Sequence, residues 1–442
     1  MAWSNKKKSG PQMKYNILIV FDYAPLGPMR VAIRDHLYSF KKNSKHQVFY
    51  LNLAYRETIP GYIQKMKFDL VIFHTIFFSA RWDNVGYERT RRKAQFIKKL
   101  DAVKVGMPQD EHFKTDYICD LINEFDMDII FSVSPESERP KFYSAKVKDS
   151  VKFYPVLTGY LDDRTVELIK RLAGLATEKT TDIGYRATRV HPSLGKHGIL
   201  KPLIGTVFQE EGSILGLKLD ISTRTEDTIL GNDWFRFLLH CKYTIGVEGG
   251  ASVIDRDGSI RIKTYEYLKS YPQASFEEIE KACFPDQDGY LQYYALSPRH
   301  LEACATRTCQ ILIEGEYNGI LKPNVHYIQL KRDFSNMEEV LKIIQQDRLR
   351  ESIVERAYQD IVESRRFSYE SFVSNVINHS LQADDQSYVR KLDIWRSGLC
   401  LWNWFQERIH LHRIRSIRKY RSCKNKLIRL FRDWIDTKGG IQ

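Results

Sequence analysis

Short, continuously apolar runs of strand length recur along this chain, most of them followed by a helical pattern, and they constrain its fold more than any other feature. Residues 16–21 read NILIVF and lead through Asp22 into a Gly/Pro loop, APLGP. Arg30 to Phe40 then places Val31, Ile33, Leu37 and Phe40 at helical spacing. Val48–Leu53, Asp69–Phe73 (DLVIF), Ala102–Gly106 and Asp128–Val133 predict four further strands, with a basic helix over Tyr87–Leu100. A strand apolar at every position is buried on both faces, which a parallel sheet between two helical layers provides. Residues 14–180 therefore predict a Rossmann-like domain that ends in a connecting helix, Arg164–Ala173.

The pattern then restarts. Asp182–Ala187 (DIGYRA), Leu217–Ile221, Tyr243–Val247, Gln310–Ile313 and a run around Val325–Leu330 predict a second set of strands. Between and after them the spacing predicts a helix opened by Gly195-Lys196-His197-Gly198, with Leu200, Leu203, Ile204, Val207 and Phe208 as its apolar positions. Further helices are predicted over Asp233–His240, Thr264–Lys269 and Phe276–Ala282, and over Arg348–Glu363 and Tyr369–His379. Ser335-x-x-Glu338 reads as a capping box for a helix through Ile344. The fold class expected is α/β, with two Rossmann-like parallel-sheet domains, 14–180 and 181–382. They are preceded by a flexible basic N-terminus, 1–13, and followed by a basic helical extension, 383–442.

Sheets of this kind bind ligands beyond the carboxyl ends of their strands. In the first domain those ends carry Asp22, His74 and the cluster Gln109-Asp110-Glu111-His112. Asp22, His74, Asp110 and Glu111 are the candidates for a general base toward an acceptor hydroxyl, or else loop polars satisfied by solvent. No G-x-G-x-x-G follows the first strand, which argues against a dinucleotide site. In the second domain, the Gly-bearing loop with Lys196 offers a phosphate grip at a helix N-terminus. Glu248-Gly249-Gly250 lets backbone N–H groups approach a ligand, or marks a tight turn. The stretch Ser297–Phe334 opens with Ser297 as a cap and Pro298 at the first helical position, and Arg299 and Glu302 share one face. A strand follows, then an acidic loop holding Glu314 and Glu316. Helical N–H groups and an Arg suit phosphate; carboxylates suit ribose or sugar hydroxyls. D-x-D occurs at Asp126/Asp128, Asp255/Asp257 and Asp286/Asp288, and none is read as a metal site.

Arg299, Glu302 and Ala303 match the Arg-x-x-Glu-Ala pattern that opens the nucleotide-holding helix of GT-B glycosyltransferases. The block through Asp333-Phe334-Ser335 to about Asn378 resembles that fold's "glycosyl transferases group 1" and CgeB-like branch. The resemblance implies two Rossmann-like domains facing a cleft and a nucleotide-sugar donor as substrate, with no cofactor and no metal. It makes Arg186, Lys196 and Lys201 donor candidates beside Arg299 and Glu302, because the first loop of the C-terminal domain faces the cleft in that fold. Glu248, Glu314 and Glu316 complete the candidate donor set. Many retaining members carry a second Glu eight residues before the helix Glu; that position here is Tyr294, so their donor-sugar contacts do not transfer.

Seven cysteines without a C-x-x-C pair read as reduced thiols of a cytosolic protein. No apolar leader and no uncharged run of the ~18 residues that a membrane span needs is visible. Of the net charge of +13, residues 383–442 hold 14 Lys/Arg against 6 Asp/Glu. There Trp395, Leu399, Trp402, Phe405 and Ile409, and later Leu427, Leu430, Phe431 and Trp434, recur at helical spacing. Such a segment lies on an anionic membrane, packs on the protein's own core, or pairs with another subunit. The reading is a metal-independent glycosyltransferase for a glycan or lipid-linked acceptor in surface polysaccharide synthesis. It is expected in the cytoplasm, peripheral on the inner membrane face through residues 390–436, with no specific nucleic acid as partner. The alternatives are a nucleotide-sugar epimerase and a non-catalytic glycan- or nucleic-acid-binding protein.

Overall fold

The computed structural model describes residues 14–24, 29–143, 145–175, 178–188, 190–381 and 394–438. The basic segment 1–13, most of the APLGP loop and residues 382–393 lie outside the described residues, as do the side chains of Trp395, Leu427, Leu430, Phe431 and Trp434. The chain divides into two compact units, one of residues 1–29, 40–107 and 377–442, the other of 30–39 and 108–376.

The strands are β1 (Asn16–Phe21), β2 (Gln47–Asn52), β3 (Leu70–Phe73), β4 (Val103–Gly106), β5 (Ile129–Ser132), β6 (Lys152–Pro155), β7 (Thr181–Arg186), β8 (Leu219–Ser222), β9 (Cys241–Gly246), β10 (Gly249–Ala251), β11 (Tyr293–Ala295), β12 (Cys309–Ile313) and β13 (Ile328–Leu330). They form a parallel six-stranded sheet in the order β2-β1-β3-β4-β5-β6 and a parallel five-stranded sheet in the order β13-β12-β9-β7-β8. The apolar runs explain both. All six residues of β1 and all five of β12 are buried, as strands covered on two faces require. The core of the second sheet gathers Ile183, Tyr185, Tyr243, Ile245, Ile311, Ile313, Ile328 and Leu330 around Ile204 and Phe208 of the helix Lys196–Ile214.

Several local expectations are corrected. The capping box at Ser335 does not form: the helix is Met337–Ile343, and Asp333 takes the Ser335 N–H instead. A capping box does form at Ser275 and Glu278. The basic helix over 87–100 is Asn84–Ala94, opened by Asp83 accepting from the Gly86 N–H, and it tightens to a 3₁₀ turn over Gln95–Lys99. β13 starts only at Ile328. The strand β6 and the antiparallel pair β10–β11 have no counterpart in the apolar pattern, because they are short and partly exposed or Gly-rich.

Gly250 makes that pair possible. Its φ is +128°, and a Cβ there would lie 1.7 Å from the Tyr293 carbonyl oxygen. Gly250→Ala is expected to cost about 3 kcal/mol through overpacking and backbone strain, read as a lower urea midpoint.

The C-terminal helix, Ile394–Lys438, belongs to the first unit and docks on β2, the edge strand of the six-stranded sheet. Its contacts with the strand backbone are polar. The Asn403 side chain accepts from the Tyr50 N–H at 2.7 Å and donates to the Tyr50 carbonyl at 2.9 Å, as a neighbouring strand would. Glu407 accepts from the Asn52 N–H at 3.1 Å and pairs with Arg56, and His410 bonds the Ala54 carbonyl. Leu411 and Ile414 are buried beside these groups. Trp404 packs against Tyr50 with Lys41 over its ring. An edge strand with free N–H and C=O groups templates aggregation, and this helix covers it. Among the described residues, no helix is long and apolar enough to cross a membrane.

Candidate functional site

At the carboxyl ends of β7 and β9 in the second unit lies a cavity of ≈180 Å³. It is bounded by the turn after β7, the helices Lys196–Ile214 and Asn232–His240, and the first turn of the helix Pro298–Ala305. Three predicted donor residues, Arg186, Lys201 and Arg299, line it together.

Two stacked aromatic rings hold the two guanidinium groups. Trp234 and Phe237 stand one turn apart on the same helix, with centroids 5.7 Å apart and planes at 24°. Arg299 lies over Trp234 at 5.1 Å and Arg186 over Phe237 at 4.6 Å. Arg186 is tied further to the Tyr185 and Asp220 carbonyls and to the Asp220 carboxylate at 2.6 Å. Arg299 donates to the Arg186 carbonyl. Burial lowers the Lys201 pKa, the Arg299 charge lowers it further, and Asp110 opposes both. A cavity that disfavours the charged form of its own lysine favours an anion that offsets that cost.

His300 and Gln310 complete the wall. His300 is buried, its Nδ1 is 3.0 Å from Gln310 Oε1, and burial pushes its pKa down to about 4, so the ring is neutral at pH 7. Its Nε2 is buried without a hydrogen-bond partner among the described residues. Ser297 lines the cavity and does not cap its helix, which leaves its hydroxyl outside the helical hydrogen bonding.

The other predicted donor residues are engaged elsewhere. Glu302 does not line the cavity: its Oε2 accepts from Trp234 Nε1 at 2.8 Å, so it sets the ring on which Arg299 rests, and burial raises its pKa. Lys196 is exposed and faces Glu280 and Asp288, and Asp288 also binds Ser252 at 2.6 Å. Glu248 is buried, pushed up to about 6 by burial, and accepts from the Tyr317 N–H, which fixes the loop after β12. Glu314 and Glu316 are exposed, Glu314 accepting from the Arg332 N–H. Tyr294 stacks on His197 at 3.8 Å with Arg332 over it.

Of the general-base candidates, Glu111 is corrected. It is fully buried and accepts from Ser132, Tyr143 and the Val133 N–H, a structural occupation that leaves no route to a substrate. His74 is buried and caps the helix Thr75–Phe78. Asp22 is held by Thr90 at 2.5 Å and by Arg89 at 3.4 Å. Asp110 is exposed, in a left-handed backbone conformation with φ 51°, and its charge is felt at Lys201. His112 packs against Tyr293.

Among the D-x-D aspartates, Asp255 accepts the Gly258, Ile260 and Arg261 N–H groups, and Asp126 pairs with Lys148. No group of three or more His, Cys, Asp or Glu gathers as a metal set among the described residues. The sequence reading missed Trp234, His300 and Gln310. Gln310 carried a signal, as the one polar residue inside the run CQILI.

No family model matches the chain, and no curated protein does. Solved structures are similar to it in shape at low identity. One is Anabaena HepE in complex with UDP and glucose, at 10% identity and TM-score 0.42, covering 83% of this chain and 99% of that one. WaaG, a glycosyltransferase involved in lipopolysaccharide biosynthesis, is 10% identical at TM-score 0.40, covering 83% of this chain and 100% of that one. The sucrose-phosphate synthase of Thermosynechococcus elongatus is 9% identical at TM-score 0.46, covering 82% of this chain and 97% of that one.

Proposed function

We propose that the chain is a GT-B glycosyltransferase that takes its nucleotide-sugar donor in the cavity at the ends of β7 and β9. The observation that carries this reading is the meeting of Arg186, Lys201 and Arg299 at one concave site, two of them braced on stacked aromatic rings. Three cations beside a helix N-terminus match a diphosphate, and fixed donors of this kind stabilise the departing diphosphate as its charge develops. The reaction is then metal-independent transfer of a hexose. Trp234 and the unpartnered Nε2 of His300 supply a face and an acceptor for the nucleoside. In this reading the six-stranded sheet serves the acceptor and the five-stranded sheet the donor.

The acceptor is a glycan or lipid-linked sugar in surface polysaccharide synthesis. The enzyme works in the cytoplasm, on the inner face of the membrane, with an anionic lipid surface as partner of residues 390–436. Asp110, exposed and electrostatically linked to Lys201, is the general-base candidate that remains accessible.

A thermal-shift panel of nucleoside diphosphates and their sugars tests the donor site. One nucleotide series is expected to stabilise the fold by about 2.7 kcal/mol at a hundred times its dissociation constant. With that donor and lipid-linked acceptors, transfer is expected to persist in excess chelator. Activity lost to the chelator and restored by manganese overturns the metal-independent mechanism; no stabilisation by any nucleotide overturns the donor site.

A further inference from the structure

The C-terminal helix has two opposed faces, a mixed polar and apolar one turned inward and an apolar one turned outward. At 100° per residue, Asn403, Glu407, Leu411 and Ile414 share an arc of roughly 80°, the arc that meets β2. Leu401, Trp402, Phe405 and Ile409 fill an arc of roughly 100° on the opposite side. They are 65%, 52%, 57% and 47% exposed. Trp402 and Phe405 lie side by side, with ring centroids 6.4 Å apart. The polar bonds of Asn403 and Glu407 to the β2 backbone fix the rotation of the helix, so the apolar arc cannot turn inward without breaking them.

Charge borders that arc. Arg408, Arg415 and Lys419 stand on one flank and Arg413 on the other, all exposed. Glu407 is the sole acid between Leu401 and Tyr420, and it is turned inward to Arg56.

We propose that this outward face lies on an anionic lipid bilayer. Leu401, Trp402, Phe405 and Ile409 enter the boundary between headgroups and acyl chains, and the four cations sit among the phosphates. The proposal deepens the membrane partner of the functional reading by naming the face that binds. A second copy of the chain fits less well, because a two-fold pairing through this face would set like charges against one another with no acid to offset them.

The test is cosedimentation of the full chain with phosphatidylcholine vesicles, with and without phosphatidylglycerol, in the absence of donor and acceptor. The chain is expected to bind the anionic vesicles, weakly the neutral ones, and less as salt rises. A Trp402→Ser, Phe405→Ser, Ile409→Ser triple variant is expected to lower the partition coefficient about tenfold or more, with unfolding unchanged because the replaced side chains are exposed. An Arg408→Gln, Arg413→Gln, Arg415→Gln variant is expected to erase the preference for anionic vesicles. Absence of wild-type binding, or binding that survives both variants, overturns the proposal. A concentration-dependent dimer that the triple Ser variant abolishes also overturns it, in favour of self-association. Vesicle binding in a chain that transfers no sugar would leave this surface standing and remove the glycosyltransferase reading alone.

Discussion

Asn403→Asp is expected to destabilise the first unit by about 3–5 kcal/mol, although it changes one atom of the side chain's outline. The side chain is fully buried, and it gives the Tyr50 backbone both an acceptor and a donor. Alanine leaves the Tyr50 N–H and C=O without those partners, at about 1–3 kcal/mol for each buried group left unpaired. Aspartate keeps the acceptor but sets a carboxylate oxygen against the Tyr50 carbonyl and places a buried charge beside Glu407. Urea unfolding read by far-UV circular dichroism measures both variants. Losses within 1 kcal/mol of wild type for the two would mean that the helix contributes little to holding β2.

Arg299→Ala is expected to weaken nucleotide binding by roughly 1.5–3 kcal/mol, about 10- to 150-fold, the loss of a charge-assisted bond to a buried ligand. Glu302 separates contact from support. Glu302→Gln keeps an oxygen for Trp234 Nε1, and its affinity is expected to stay within about threefold of wild type. Glu302→Ala frees the ring under Arg299 and is expected to lose about tenfold, since a buried hydrogen bond is worth around 1 kcal/mol and the displaced ring adds to it. Isothermal titration with the nucleotide identified by thermal shift measures all three. Unchanged affinity in Arg299→Ala removes the cavity from the donor role, and a Glu302→Gln loss as large as that of Glu302→Ala makes the carboxylate itself a ligand contact.

The two sheets were legible because burial on both faces writes itself into every residue of a run, as in NILIVF and CQILI. The cavity was partly legible. Arg186 closes a strand, and Lys201 and Arg299 stand in the first two turns of helices, near the strand ends where such sheets bind ligands. Trp234 and His300 were not, because a Trp on an amphipathic helix and a His one turn into another are as often packing residues. Glu111 misled for a related reason: a carboxylate after a strand looks the same in sequence whether it faces solvent or three donors in the core. The apolar stripe of the C-terminal helix was legible in the sequence, but which of its faces meets the protein was not. A sheet edge presents N–H and C=O groups, so the face that covers it is polar, and Asn403 and Glu407 are the inward residues while Trp402 and Phe405 are not.

The bond between Tyr50 and Asn403 joins residues 353 positions apart in the chain. During synthesis, at about 5–20 residues per second, β2 is complete and its outer edge stays open until the chain has grown by those 353 residues. A chain that stops between residues 331 and 393 contains every strand of both sheets yet never closes that edge. A chain without this helix exposes an adhesive strand to chaperones, proteases or other nascent chains.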